Sequence, residues 1–283
     1  MKGIILAGGL GTRLYPLTKV TNKCLLPVYN KPMIYYPIQT MVDSGINDIL
    51  LVCGGNAAGE FLRILGNGEE FGLKHLHYTY QSEPRGIADA LGLAEEWADG
   101  EPVTVILADN VLENPFPKIV KEFEAHPEGA RIFLTEVEHP EWYGVVELND
   151  KGKVLSIEEK PKQPKSKLVA IGVYMYDSGV WRYIRTLTPS ARNELEITDL
   201  NNRYLAKGKL RAYKIDGWWA DCGESIDAYL ASCVKASQFN AKRASQEKNR
   251  VVRSEVQREK RDCCTPRSGS DGGCCVGSGA KSG

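Results

Sequence analysis

The sequence lacks a surplus of charge of either sign: 36 lysines and arginines stand against 36 aspartates and glutamates, a formal net charge of zero. Polyanions and membrane surfaces are usually met by a basic excess, so neither nucleic acid nor membrane is expected as a partner. It also lacks any stretch near the roughly 20 consecutive apolar residues of a membrane span, and the apolar run after Lys2 is too short for a signal peptide. Histidine is scarce, and His75, His77, His126 and His139 fall in no recognisable catalytic or metal-binding pattern. Cysteines are present without a disulfide framework. Cys24, Cys53, Cys222 and Cys233 are scattered, as thiols in a reducing compartment are, and the adjacent pairs Cys263-Cys264 and Cys274-Cys275 lack the C-x-x-C spacing of zinc sites. A cytoplasmic protein is the expectation.

What is present begins at once. The apolar run Gly3 to Ala7 empties into Gly8-Gly9-Leu10-Gly11-Thr12-Arg13. An unbroken apolar run reads as a strand buried on both faces. Glycines directly after it let backbone N–H groups turn towards an anion with no Cβ in the way, and Arg13 adds fixed positive charge. Two familiar phosphate loops are excluded. The dinucleotide fingerprint started at Gly9 needs a small residue where Leu14 stands, and the P-loop needs a Gly-Lys-Ser/Thr ending that is absent.

The rest alternates. A helix opening at Lys31-Pro32-Met33 and closed by Gly45, a strand Ile46 to Cys53, a helix Ala57 to Leu65, a strand His77 to Gln81, a helix Ile87 to Trp97 and a strand Val103 to Leu107 imply right-handed βαβ units. This is an α/β, Rossmann-like, mainly parallel sheet flanked by helices. Ligands of such sheets bind at the carboxyl ends of the strands, so the glycine loop, Gln81 and Asp109 should converge. After a helix Pro117 to Ala125 the texture becomes strand-rich: Ala130 to Val137, Gly144 to Leu148, Val154 to Ile157 and Val169 to Tyr176, with a hairpin turn at Asn149 to Gly152. A short helix from Gly179, a helix Leu195 to Leu205, an edge strand Leu210 to Lys214 and a helix Glu224 to about Phe239 follow. The domain is expected over residues 1–240. Residues 241–283, rich in charge and then in glycine and serine, read as a disordered tail.

Asp109 and Asp221 each follow an apolar segment, which suits a shared Mg²⁺ held by one or two carboxylates plus substrate phosphates. Each could equally cap the next turn. Lys160, in Glu158-Glu159-Lys160-Pro161, could be a surface charge, and Arg192 to Asp199 a capped helix start. Their joint occurrence weighs more. Leu6-Ala7-Gly8-Gly9-x-Gly11-Thr12-Arg13-x-x-Pro16-Leu17-Thr18, then Lys23, Leu25-Leu26-Pro27, Lys31 to Pro37, Gln81, Gly86, Asp109-Asn110, Tyr143 to Val146, Glu158 to Pro161 and Pro189 to Asp199 resemble, in order over residues 1 to about 235, the sugar-1-phosphate nucleotidylyltransferases, above all the glucose-1-phosphate thymidylyltransferases.

The resemblance implies a nucleotide-binding domain with a smaller β-rich sugar-binding portion over its carboxyl edge. It gives Leu6, Gly8, Gly9, Gly11, Thr12 and Arg13, with Gln81 and Gly86, to the nucleotide. Tyr143, Gly144, Glu159, Lys160, Gly172 and Arg192 go to the sugar 1-phosphate, Asp109 and Asp221 to Mg²⁺, and catalysis to Arg13, Lys23, Asp109 and Lys160. The implied reaction makes dTDP-glucose and pyrophosphate from dTTP and glucose 1-phosphate in a homo-oligomer. UTP is the close alternative, and a catalytically weak sugar-nucleotide-binding subunit the distant one. Three departures stand out. Ala108 replaces the family's usual glycine before Asp109, Asn193 replaces a glycine after Arg192, and the tail replaces the helical region with which longer members build a regulatory site.

Overall fold

The computed structural model describes residues 1–73 and 75–240; the expected tail and its four cysteines lie outside the described residues. The chain opens with strand β1 (Lys2–Ala7), a two-residue ladder β2 (Pro27–Val28) and β3 (Lys31–Pro32), and helix α1 (Tyr35–Asp43). Next come β4 (Ile49–Gly54), α2 (Ala58–Leu65), β5 (Leu76–Gln81), α3 (Ile87–Gly92), α4 (Glu95–Ala98), β6 (Val103–Leu107), β7 (Asn110–Leu112) and α5 (Pro117–Ala125). The second half holds β8 (Ala130–Glu136), β9 (Gly144–Leu148), β10 (Val154–Glu159), β11 (Leu168–Tyr176), α6 (Val180–Ile184), α7 (Ile197–Ala206), β12 (Leu210–Lys214) and β13 (Trp219–Asp221). A last helix, α8, runs over residues 226–240.

Among the described residues, nine strands form one sheet. Its parallel half has the order β6-β1-β4-β5, with Ile5 of β1 opposite Leu51 on one side and Ile106 on the other. The strand-rich portion is no separate sheet. It joins through β11, which runs antiparallel to β6, β8 and β9, while β12 adds a parallel edge to β8. One edge of β11 is shared: Val169 and Ala170 pair with β9, whereas Val173 to Tyr176 pair with β6. Between these stretches, at Ile171 and Gly172, the sheet forks.

The unbroken apolar run of β1 has a physical reason, because both faces of the sheet are covered. Ile5 and Ala7 pack on the layer of Ile38, Met41, Phe61 and Phe123, from α1, α2 and α5. Ile4 and Leu6 face the other layer, with Leu91, Trp181, Leu200 and Tyr204 from α3, α6 and α7. Each such aliphatic side chain, taken fully from water, contributes about 1.5–3 kcal/mol. Ala108 belongs to the first of these layers, at 1% exposure. Its methyl group is absorbed by the core, so this departure from the family's glycine puts no atom into the carboxyl edge.

Several boundaries differ from the sequence reading, each for a local reason. The first helix starts at Tyr35 and not at Lys31, because Lys31 and Pro32 pair with Val28 and Pro27 and the Met33 N–H donates to the Leu26 carbonyl. Strand β4 begins at Ile49, since the Ile46 N–H is held by the Met41 carbonyl at the end of α1. The single helix expected over Ile87 to Trp97 is two. Around Gly92, packed against Ile184, the N–H groups of Leu93 and Ala94 turn back only three residues, to Ala90 and Leu91, which tightens and breaks the helix. The hairpin turn is as expected, with Asn149 Oδ1 accepting from the N–H groups of Lys151 and Lys153. Asn193 takes the left-handed conformation, φ 60°, that its glycine replacement requires.

At the carboxyl ends of β1 and β4 the backbones nearly touch. A Cβ on Gly54 would lie 2.7 Å from Gly8 Cα and 2.8 Å from Gly8 O. Gly54→Ala is therefore expected to push the glycine loop aside, costing about 1–3 kcal/mol and a drop of several degrees in melting temperature. An unchanged melting temperature would show that the two strand ends are free to separate.

Candidate active site

The carboxyl ends of β1, β5 and β6 and the fork in β11 open into one cavity of about 530 Å³. Every residue assigned a role above lines it except Gly11, which stands at φ 67° with its carbonyl accepting from the Thr18 hydroxyl at 2.9 Å. The glycine loop, Gln81 and Asp109, distant in sequence, converge as the parallel topology requires.

The centre is built by backbone pairing. After β6, the chain turns through Asp109 into β7, which pairs antiparallel with β13 so that Asn110 lies opposite Asp221. The Cys222 N–H donates to the Asp109 carbonyl at 2.9 Å. Two carboxylates more than a hundred residues apart are thereby fixed side by side. Lys23 forms an ion pair with Asp109, and Asn110 Nδ2 donates to Asp109 Oδ1 at 2.9 Å. The Gly223 N–H donates to Asp221 Oδ1 at 2.8 Å.

Charge follows from this crowding. Burial works against ionisation of Asp109, yet the Lys23 ammonium and the hydrogen bonds hold its carboxyl below the usual carboxylate range. For Asp221 the balance tips the other way: burial, then the Asp109 charge, push it up to about 7 against the opposing pull of Lys23, Arg13 and the Gly223 N–H. Burial opposes the Lys23 charge as well, but Asp109 and Asp221 outweigh it and raise the ammonium well above its ordinary value.

Asn110 ties this centre to the fork. Its Oδ1 accepts from the Gly172 N–H at 3.0 Å and from Trp219 Nε1 at 2.7 Å. A side chain on Gly172 would collide with it, a Cβ lying 2.7 Å from Asn110 Nδ2 and from Leu107 Cγ. Beside it, the Tyr143 hydroxyl donates to the Glu224 carboxylate and its ring meets Trp219 edge-on at 5.7 Å. The Lys160 N–H donates to the Tyr143 carbonyl at 2.9 Å, with Lys160 in the left-handed region at φ 44°.

The lining also holds an acidic cluster. Arg192 is held by Glu196 at 2.8 Å, Glu194 at 3.5 Å and Glu159 at 3.6 Å, and Thr198 donates to Glu159 at 2.5 Å. The sequence reading had missed Asn110 as a bracket, and with it Trp219, Glu224 and Thr198. The Asp109-Asn110 pair and the Trp218-Trp219 doublet were visible signals, but nothing in the residue order said that β7 and β13 would pair.

Residues 2–238 match the family profile described as nucleotidyl transferase. The chain belongs to the nucleotidyl transferase family. It is 46% identical over 211 residues to a glucose-1-phosphate thymidylyltransferase of Neisseria meningitidis, covering 74% of this chain and 73% of that one. With a glucose-1-phosphate thymidylyltransferase of Actinoplanes it shares 42% over 241 residues, covering 84% and 78%. A crystal structure of a Bacillus anthracis protein described as a glucose-1-phosphate thymidylyltransferase, in complex with sucrose, superposes with TM-score 0.79 at 45% identity, over 85% of this chain and 99% of that one. UDP-glucose pyrophosphorylase shares the nucleotidyl transferase fold, at TM-score 0.73 and 24% identity over 84% of this chain and 98% of that one.

Lys23→Met would leave the Asp109 and Asp221 carboxylates beside each other without their nearest cation. Breaking a buried pair this way is expected to cost about 3–5 kcal/mol. Both carboxyls would then bind protons more tightly folded than unfolded, so the loss should be larger at pH 8 than at pH 5. Denaturant titrations at the two pH values check this, and equal losses would contradict it.

Proposed function

We propose that this nucleotidyl transferase joins dTTP and glucose 1-phosphate, giving dTDP-glucose and pyrophosphate. The observation that carries the reading is one cavity in which two neighbouring carboxylates, Asp109 buried and Asp221 half-buried, lie with the basic groups of Arg13, Lys23 and Lys160, in a chain whose relatives bear that activity in their names. UTP is a second reading, because thymine and uracil offer Gln81 the same ring N–H.

The donor set fits Mg²⁺. A Cβ on Gly223 would sit 2.7 Å from Asp109 Oδ2, 3.3 Å from Asp221 Oδ1 and 3.0 Å from Lys23 Nζ, so one small volume is shared by both carboxylates. Among the described residues no group of three or more His, Cys, Asp or Glu could hold a metal ion. Two carboxylates with further ligands from substrate phosphates is the way Mg²⁺ is usually bound. When bound, Mg²⁺ supplies positive charge against the phosphates and the departing pyrophosphate.

The chain's own residues do the rest. A sugar phosphate has its second pKa near ~6, so its attacking oxygen is already anionic at neutral pH and no general base is required. The work is to bring two polyanions together. The Gly8-Gly9 backbone and Arg13 hold the triphosphate, Gln81 and Gly86 the base, and Lys160 the sugar phosphate. Tyr143, Gly144 and Glu159 surround the sugar, with Gly172 giving it room and Arg192 beside its phosphate. Lys23 neutralises charge at the α-phosphate. Held in line opposite the leaving pyrophosphate, the sugar phosphate oxygen attacks the α-phosphorus. We place the reaction in the cytoplasm, consistent with free thiols at Cys24, Cys53, Cys222 and Cys233.

Purified protein given glucose 1-phosphate, Mg²⁺ and each nucleoside triphosphate in turn is expected to release pyrophosphate fastest with dTTP. Asp109→Asn should slow it on the order of a hundredfold or more with nucleotide binding retained. Binding without turnover in the unaltered protein would support the sugar-nucleotide-binding subunit instead.

A further inference from the structure

Gln81 is buried, at 6% exposure, at the end of β5, and the orientation of its side-chain amide is determined from behind. Nε2 donates to Asp89 Oδ2 at 2.8 Å and to the Gly86 carbonyl at 3.4 Å. An ionised carboxylate and a carbonyl can only accept, so both amide hydrogens are committed. A flipped amide would set its oxygen against two acceptors. Oε1 consequently faces the other way, over Gly8, where a Cβ would lie 2.6 Å from it. Gly8 and Gln81 line the cavity and Asp89 stands behind them, in the first turn of α3 where the helix N-terminus favours a carboxylate.

We propose that Asp89 is a positioning residue that locks Gln81 with its oxygen towards the nucleobase, so that the site takes pyrimidines carrying a ring N–H and rejects those presenting a ring lone pair. This rests on the nucleotidyl-transfer reading above. Thymine and uracil have an N3–H that Oε1 accepts. Cytosine presents an N3 lone pair at the same place, and Gln81 can answer it only by turning its oxygen onto the Asp89 carboxylate. A site built to accept a hydrogen bond discriminates strongly against a base that cannot donate one, because its own buried polar atom is left unpaired.

The test compares dTTP with CTP, by calorimetric binding without sugar phosphate and by kcat/KM with glucose 1-phosphate, in the unaltered protein, Asp89→Asn and Asp89→Ala. An asparagine can donate as well as accept, and an alanine does neither, so either removes the nearer of the two acceptors that hold the amide and leaves only the longer contact with the Gly86 carbonyl to oppose its turning. The unaltered protein should prefer dTTP over CTP by on the order of a hundredfold. Both variants should lose at least tenfold of that preference while KM for glucose 1-phosphate stays within twofold and the melting temperature is retained. An unaltered protein without the preference, an unchanged ratio in the folded variants, or equal losses for both nucleotides would overturn the proposal. Selective binding of dTTP without pyrophosphate release would overturn the reaction proposed above and leave the Asp89 assignment to be decided by the binding ratios alone.

Discussion

The structure depends on a buried charge cluster at the carboxyl edge of the sheet, where Lys23, Asp109 and Asp221 share one small volume. Crowded carboxylates withdrawn from bulk water are costly unless compensated. The fold compensates Asp109 more fully than Asp221. Lys23 and Asn110 stabilise the charge of Asp109, while Asp221 is left with an intermediate affinity for protons. A carboxyl that is only partly compensated, in the lining of a cavity, marks a place that a further cation would complete.

That place is made by pairing and not by any single loop. The β7 and β13 ladder brings Asp221 to Asp109, and Asn110, the first residue of β7, also receives the Gly172 N–H and the Trp219 indole. The parallel half and the antiparallel half of the sheet thus meet on one side chain. The resulting cavity carries charge of both signs: Arg13 and Lys23 belong to its lining, and so do the carboxylates of Glu159, Glu194 and Glu196 around Arg192.

Much of this was legible in the residues. The unbroken run Gly3 to Ala7 reported a strand covered on both faces, and the βα alternation put Gly8, Gln81 and Asp109 on one edge, because parallel strands leave their carboxyl ends together. Illegible were the contacts made by pairing across long separations. Nothing local in Asn110 or Trp219 marks them as partners, and Asp89 reads as an ordinary first-turn acid. Helix ends were missed where tertiary hydrogen bonds outweighed propensity, as when the Met33 N–H found the Leu26 carbonyl and delayed α1. Ala108 was legible as a departure only; that its methyl group packs into the core needed the strand register.

Asp109 and Asp221 are proposed together as a divalent-cation site for the nucleotide. Anomalous scattering from crystals soaked with Mn²⁺ and dTTP probes that site. A peak beside both carboxylates and the triphosphate, lost in Asp221→Asn, is expected. A peak on the triphosphate alone, or one unchanged in that variant, would contradict it.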